Sequence, residues 1–232
     1  MIQRDVFSSD EYVEHFRPDE EHNPFRAIYA SKQADVLHAV RNILPGQAQV
    51  LDLGGGMGRM AVPLARRYQV TLCDISREML NLAATRAGKA HVERSFRTCQ
   101  VDAARRLPFE DETFDCALSI DLVVHLPDPV ASLREIHRVL KPDAQLLVDT
   151  TNSTPWWALR YPSYVGRRPS RWMRTLRGGG VLPEWQDIVR HYTPAQLRAM
   201  LVQSSFSIAE EWSYGPRWCS KWFLTRCVRT ED

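Results

Sequence analysis

The sequence has no long apolar run, no paired cysteine motif and no strong excess of one charge. No apolar segment reaches the roughly 18 residues of a membrane-spanning helix, so we expect no membrane span. The first residues are not followed by the apolar segment of a signal peptide. The 5 cysteines include no Cys-x-x-Cys pair, which predicts reduced thiols, no metal site and a cytoplasmic protein. A net charge of +2 favours no class of partner.

The central feature of the sequence is a glycine-rich turn at residues 54–58. An apolar run containing Asp52 precedes it and an amphipathic segment follows, which predicts a strand, a tight turn and a helix. Glycine can adopt positive φ and approach a ligand closely, and the N-terminus of the following helix favours an anionic group. The turn therefore predicts a site for a nucleotide-like cofactor.

Two cofactor classes fit the spacing of these glycines. Asp52, Gly54, Gly56 and Gly58 form the pattern Asp-x-Gly-x-Gly-x-Gly, the form seen in S-adenosylmethionine (SAM) methyltransferases. The stretch from Gly56 to Ala61 also satisfies the dinucleotide pattern G-x-G-x-x-G/A. The turn by itself leaves SAM and NAD both open.

Strand-like and helix-like segments alternate from residue 50 onward, which predicts an α/β fold with helices on both faces of a parallel sheet. Five strands are expected at residues 48–53, 69–74, 95–102, 114–120 and 144–149. Helices are expected after the glycine turn to Arg67, and at residues 76–87, 128–140 and 193–203. Strands at 206–212 and 222–228 flank a Gly215-Pro216 turn. We therefore predict a Rossmann-like, seven-stranded, mostly parallel sheet that ends in an antiparallel hairpin.

The 232 residues, with 44% hydrophobic content, are expected to form one domain with four parts. These are an N-terminal helical lid at 1–45, a cofactor-binding core at 46–150, a substrate-cap insertion at 151–192, and a C-terminal helix and strands at 193–232. A helix at about 25–44 carries apolar residues on one face. It either packs on the sheet edge or folds over the cofactor with Tyr29.

Acidic residues stand at the ends of the second and third predicted strands. Asp74 ends the second strand, where a carboxylate can accept both ribose hydroxyls of SAM or of NAD. Asp102 ends the third strand and is followed by the segment LPFEDETFD at residues 107–115. This order resembles class I SAM-dependent methyltransferases, in particular the group with the ubiquinone/menaquinone-type and natural-product enzymes.

The resemblance extends over residues 47–150 and includes the segment LREIHRVLKP at 133–142. Dehydrogenases lack this series, so the resemblance favours SAM over NAD. Asp143 and Ala144 stand where the family usually has two glycines, which affects the geometry of that turn.

The resemblance implies which residues bind SAM and its product S-adenosylhomocysteine (SAH). Asp52 would order the turn or reach the amino group of SAM, Asp74 would bind the ribose, and Asp102 would accept from the adenine amino group. The expected cofactor-binding residues are Tyr29, Asp52, Gly54, Gly55, Gly56, Asp74, Ile75, Met79, Asp102, Ala103, Ser119 and Ile120.

A general base is needed only if the acceptor is a hydroxyl that loses its proton. His125 follows the fourth predicted strand, beside the expected methyl group, and a histidine titrates near neutrality. It is the first candidate, although it equally suits a residue that packs on the cofactor or caps the next helix. Asp121 and Asp149, at the ends of the fourth and fifth strands, are further catalytic candidates.

The insertion at 151–192 is rich in aromatic residues, which suit a flat or apolar small molecule, and in arginine, which can bind a phosphate or carboxylate. It also suits a surface subdomain with a small core of its own. The expected substrate-binding residues are Trp156, Trp157, Tyr161, Trp172, Trp185, His191 and Tyr192. The segment after the fourth strand lacks a Pro-Pro-aromatic motif, and no Pro-Cys nucleophile occurs, so nucleic acid is not the expected substrate.

The sequence thus predicts an enzyme that transfers a methyl group from SAM to a small molecule, with a hydroxyl favoured over nitrogen or carbon. Secondary metabolism or quinone-like biosynthesis is the expected setting, and a homodimer is left open. The alternatives are a methyltransferase of RNA or lipid, an NAD-linked reductase, and a scaffold without activity.

Overall fold

A computed structural model describes residues 26–151, 192–214 and 222–230. Its strands are β1 (Gln49–Leu53), β2 (Gln69–Asp74), β3 (Phe96–Gln100), β4 (Phe114–Ser119), β5 (Leu140–Thr151), β6 (Phe206–Ser213) and β7 (Trp222–Arg229). Its α-helices are α1 (Arg26–Ile43), α2 (Ala61–Leu64), α3 (Arg77–Lys89), α4 (Pro129–Val139) and α5 (Pro194–Gln203). Two 3₁₀ turns lie at Glu93–Ser95 and Val123–His125.

The strands form one seven-stranded sheet in the order β3-β2-β1-β4-β5-β7-β6. Strands β1 to β5 are parallel, and β7 pairs antiparallel with both β5 and β6. The predicted α/β class and the mostly parallel sheet with its antiparallel hairpin are confirmed. The strand order reverses between β1 and β4, and ligands of such sheets bind at the carboxyl ends of the strands beside this reversal.

Two apolar layers cover the faces of the sheet. Neighbouring residues of β1 face opposite layers, because Val50 packs with α1, α2 and α3, whereas Leu51 packs with α4 and α5. Burying such a side chain fully is worth about 1.5–3 kcal/mol. Both faces of the sheet are therefore packed against helices, and the carboxyl ends of its strands form a rigid platform for functional groups.

The segment after β1 differs from the predicted helix to Arg67, because α2 ends at Leu64. Helical hydrogen bonds run from Val62 N to Gly58 O and from Leu64 N to Met60 O. Pro63 has no N–H to donate, so the helical bond that would reach the Arg59 carbonyl is not made. The interruption leaves this carbonyl available to another part of the chain.

Strand β5 begins earlier than the predicted residue 144. Leu140 pairs with Phe114, and the register shifts before Cys116 pairs with Gln145. Asp143 adopts φ +59° within this irregularity, so it takes the left-handed conformation at the position where the resemblance expected glycine. The stretch expected to end the preceding helix is therefore an irregular part of the strand.

The two helix caps predicted from the sequence are confirmed. Thr193 and Gln196 form the predicted capping box of α5, with both reciprocal hydrogen bonds present. The Asp128 side chain accepts from Ala131 N and caps α4, with Pro129 in the first turn. Cys73, Cys116 and Cys227 are buried free thiols. None of the helices in the described ranges is long and apolar enough to cross a membrane.

Candidate functional site

The glycine turn, residues 54–58, lies at the carboxyl ends of β1 and β2. The N–H groups of Gly54 and Gly55 donate to the Cys73 carbonyl at 2.7 and 3.2 Å. Gly54, Gly56 and Gly58 have φ values of +74°, +53° and +79°, which explains the need for glycine. A Cβ added to Gly56 would meet no atom of the described residues within 4 Å, so this backbone borders a space that they leave open. The turn can therefore receive a ligand in direct contact with its main chain.

Asp74 joins the glycine turn to the start of α3. Its Oδ2 accepts from Gly56 N at 2.9 Å and its Oδ1 accepts from Ser76 N at 2.9 Å. Burial raises the pKa of this carboxyl, whereas the amides of Ser76 and Gly56 and the charge of His125 act against the shift. Asp74, at the carboxyl end of β2, thus ties the glycine turn to the start of α3.

Asp52 is a buried carboxylate beneath the glycine turn. It is 1% exposed, and its Oδ2 has no hydrogen-bond partner among the described residues. Burial, followed by the charge of Asp74, raises its pKa to about 7, whereas the amide of Ala61 opposes the shift. The Ser119 Oγ is likewise buried without a partner in the described structure. Such polar atoms are usually satisfied by a donor or acceptor, so both fit a polar ligand at this position.

A second group of charges lies at the ends of β4 and β5. The Lys32 Nζ donates to Asp121 Oδ1 at 2.6 Å and to Asp149 Oδ2 at 2.7 Å, and the Lys32 side chain is fully buried. Asp149 Oδ1 accepts from Asp121 N at 2.6 Å. Although burial acts to raise it, the charges of Lys32 and Arg59 lower the pKa of Asp121. Burial and the charge of Asp121 raise the pKa of Asp149.

Arg59 connects this group to the glycine turn. Its Nη2 lies 3.5 Å from Asp121 Oδ2, and its guanidinium lies 4.9 Å from the centre of the Tyr29 ring. Tyr29 in turn contacts Trp222 with 5.7 Å between ring centres. We call Lys32, Arg59, Asp121 and Asp149 the lysine cluster. Two of the three predicted catalytic residues, Asp121 and Asp149, are thus bound into an ion-pair network.

The remaining predicted cofactor residues surround the glycine turn and the strand ends. Met79, Ala103 and Ile120 are buried, and Ile75 is half-buried beside Asp74. Asp102 has a side chain 38% exposed and accepts from Ala104 N at 3.0 Å. The cofactor-binding roles of Asp102 and of these four neighbours stay predictions. His125 is half-buried in the 3₁₀ turn after β4, with its backbone N–H bonded to Leu122 O.

The predicted substrate cap lies outside the described residues, apart from Tyr192. This applies to Trp156, Trp157, Tyr161, Trp172, Trp185 and His191. Tyr192 is 7% exposed and packs in the apolar layer formed with α4 and α5. In the structure, the Tyr192 side chain is therefore part of this apolar layer.

The sequence reasoning missed Lys32, Arg59 and Trp222. One signal could have found Lys32, since it precedes Val36 and Val40 by four and eight residues and so lies on the buried face of α1. A lysine at such a position is rarely buried without a paired acid. The partners themselves carried no local signal, because they lie 89 and 117 residues away in the chain.

Comparison with known proteins agrees with this geometry. A family model for a methyltransferase domain matches residues 51–148. A ubiquinone biosynthesis O-methyltransferase of Xanthomonas campestris is 34% identical over 135 residues, covering 57% of this chain and 52% of that protein. Sterol methyltransferase-like 3 of Botryococcus braunii is 38% identical over 119 residues, covering 48% of this chain and 30% of that protein. The chain thus spans about half the length, or less, of these curated relatives.

Solved structures share the fold. Magnesium protoporphyrin IX methyltransferase of Synechocystis PCC 6803 with bound SAH has a TM-score of 0.75 at 21% identity, covering 99% of both chains. The [4+2]-cyclase SpnF has a TM-score of 0.68 at 20% identity, covering 92% of this chain and 86% of that one. These solved structures show that the chain has the Rossmann-like fold of methyltransferases. Residues 51–148 match the model of a methyltransferase domain, and this match supports the resemblance to class I SAM-dependent methyltransferases.

Proposed function

We propose that this protein is a SAM-dependent methyltransferase that acts on a small-molecule acceptor. The observation that carries the proposal is the pairing of two acids around the glycine turn. Asp74 holds the turn against α3 through two backbone N–H groups, and Asp52 keeps one buried oxygen unpartnered beneath it. A cofactor with hydroxyl and ammonium donors matches these two carboxylates.

The described residues fit SAM in composition as well as in position. Asp74 would accept from the ribose hydroxyls, Asp52 would face the ammonium group, and the backbone of Gly54 to Gly56 would border the methionyl part. Asp102 and Ala103 would flank the adenine, with Ile75 and Met79 as its apolar neighbours. Tyr29, Ser119 and Ile120 would line the sulfonium side. SAM, when bound, supplies an electrophilic methyl group.

The protein's own contribution to such a reaction is chiefly positioning. Orienting two reactants and excluding water can remove about 7–11 kcal/mol of a barrier. We propose His125 as the base that takes the proton of an acceptor hydroxyl, because it follows β4 at the carboxyl edge of the sheet. His125 is half-buried in the 3₁₀ turn that follows β4. Asp121 and Asp149 are engaged with Lys32 and serve as fixed charges.

The acceptor class is inferred from chemistry and from the relatives. O-methylation is favoured because a ubiquinone biosynthesis O-methyltransferase is among the similar proteins and because a histidine base suits a hydroxyl. The aromatic and arginine-rich stretch at 151–192 would supply the acceptor pocket. Cytoplasmic location and a homodimer belong to the same proposal, and light scattering on the purified protein tests the dimer.

Calorimetric titration with SAM, SAH and NADH in parallel tests the cofactor. We expect micromolar affinity for SAM and SAH and no measurable binding of NADH. Binding of NADH alone would overturn the proposal. A panel of phenols, catechols, amines and sterols, read by the mass increase of one methyl group, then identifies the acceptor.

The variant His125→Ala tests the base. We expect unchanged affinity for SAH and a turnover reduced by about 10²–10⁴-fold, the usual worth of general base catalysis. Normal turnover would show that His125 is not the base. A loss of SAH affinity instead would assign it to cofactor binding beside Asp74.

A further inference from the structure

The two halves of α1 are held to the sheet by different forces. In the C-terminal half, Val36, Ala39 and Val40 are buried in the apolar layer against β1. Of residues 29–35, by contrast, Lys32 alone is buried. In residues 29–35, the half-buried Tyr29 ring contacts Trp222, and the one buried side chain is that of Lys32, which is charged.

Lys32 contacts acids at the carboxyl ends of two neighbouring strands, β4 and β5. Its ammonium group lies between Asp121, in the loop after β4, and Asp149, near the end of β5. Asp149 also accepts from the backbone N–H of Asp121, whose φ is +58°. A non-glycine residue persists in this left-handed conformation only when its surroundings hold it there. Lys32 and Asp149 together provide such surroundings for the loop after β4.

Gln33, the next residue of α1, contacts Arg59, which directly follows the glycine turn. The Gln33 Nε2 donates to the Arg59 carbonyl at 2.6 Å. This carbonyl is available because Pro63 cannot donate the helical hydrogen bond that would otherwise use it. Tyr29, one turn earlier in α1, covers the Arg59 guanidinium. The N-terminal half of α1 thus contacts both Arg59, next to the glycine turn, and the loop after β4.

We propose that Lys32 is a positioning residue that fastens the N-terminal half of α1 across the candidate site. Its two ion pairs hold Tyr29 and Gln33 against Arg59 and fix the Asp121 loop. Loss of these ion pairs releases this half of the helix while the rest of the domain stays folded, because the C-terminal half has its own apolar anchor. Under the proposed function, release also shortens the residence time of the bound cofactor.

Hydrogen exchange measured by mass spectrometry on Lys32→Met tests this inference. We expect amides of residues 26–35 to exchange at least tenfold faster than in the wild type, with unchanged protection of residues 40–43, β1 and β4, because the amides of 36–39 donate to carbonyls of the released half. We also expect SAH, followed by stopped-flow displacement, to dissociate at least tenfold faster. Lys89→Met is the matched control, since it removes an exposed lysine at the end of α3.

A second variant covers the case in which Lys32→Met does not fold. Lys32→Met combined with Asp149→Asn removes one charge of each sign, and the asparagine oxygen still accepts from the Asp121 N–H. The same selective exchange in residues 26–35 is expected from it. Wild-type protection of residues 26–35 in a folded variant overturns the inference. An equal loss of protection throughout the domain also overturns it, because it marks a general packing role.

The exchange readout separates this inference from the proposed function. If the wild type binds no SAH, the cofactor assignment fails, whereas the exchange comparison still decides whether Lys32 fastens the helix. If SAH binds and dissociates at the same rate from the variants while residues 26–35 open, the fastening stands and its link to cofactor residence is overturned.

Discussion

The glycine turn and the lysine cluster are assembled in opposite ways. The turn is built within one stretch of chain, from Asp52 to Asp74, and its backbone N–H groups donate to a backbone carbonyl and to the Asp74 carboxylate. The lysine cluster joins α1, Arg59 and the ends of β4 and β5 chiefly through side-chain charges. A backbone-built site depends on conformation, whereas a charge-built site depends on ionisation and on long-range packing.

One acid in each region, Asp52 in the turn and Asp121 in the lysine cluster, responds to pH in the opposite direction from the other. Asp52, under the turn, has a pKa raised by burial, so its folded form prefers to be protonated. Asp121, in the cluster, has a pKa lowered by Lys32 and then Arg59, so its folded form prefers to be ionised. Stability contributed at Asp52 is therefore lost as pH rises, and stability contributed at Asp121 is lost as pH falls.

The largest expected effect is the pH dependence caused by Asp52. With a pKa of 3.8 unfolded and about 7 folded, the wild type should lose up to about 4 kcal/mol of unfolding free energy between pH 4 and pH 8. Asp52→Asn should flatten this part of the profile. Urea unfolding of both proteins from pH 4 to pH 8 measures the difference. If the unfolding free energies of the two proteins changed with pH in parallel, the raised pKa of Asp52 would be refuted.

The next largest effect concerns Asp74. Asp74→Ala removes a carboxylate that accepts from two backbone N–H groups, and hydrogen bonds to charged groups are worth about 1.5–3 kcal/mol each. We expect SAH affinity to fall by about 100-fold or more by calorimetry. Asp102→Ala, which alters a partly exposed acid, is the control and should lose less. Equal losses would mean that the two acids contribute alike.

A smaller effect is expected in the lysine cluster. Asp121→Asn keeps the shape of the side chain but removes the charge that faces Lys32, and Asp149 still pairs with the lysine. We expect the free energy of unfolding to fall by about 2 kcal/mol at pH 7. This is less than the cost of removing the only partner of a buried charge, because Lys32 keeps Asp149. The loss should shrink as pH falls through the depressed pKa of Asp121. Thermal unfolding at pH 7 and below pH 4 checks the sign, and a loss that grows on acidification would contradict it.

The smallest effect comes from the backbone of the turn. Gly56→Ala places a side chain at φ +53°, which costs about 1–2 kcal/mol in the left-handed region. The new methyl group points into the open space beside the turn, so SAH affinity should fall about tenfold. Gly46→Ala is the matched control, because its added Cβ also meets none of the described atoms within 4 Å and its φ is not positive. Similar SAH affinity in both variants would show that the turn does not border the ligand.

Much of the fold could be predicted because its signals are local. The boundaries predicted for β2 agree with the structure at both ends, and the capping box at Thr193 marks the start of α5 as expected. The start of β5 could not be predicted, because Leu140 joins the strand by pairing with Phe114 of another strand. Pro63 lies within the short α2 and makes no helical hydrogen bond to Arg59 O, a signal that was present in the sequence and outweighed by the apolar pattern around it.

The sequence by itself determined the alternation of strands and helices, the glycine turn and the acids at the strand ends. Each of these depends on the local chemistry of a few neighbouring residues. Only the tertiary structure decided that Lys32 meets Asp121 and Asp149, and that Gln33 takes the carbonyl of Arg59. Ion pairs between distant segments have no sequence period, and a buried charge acquires its partner only when the core has packed around it.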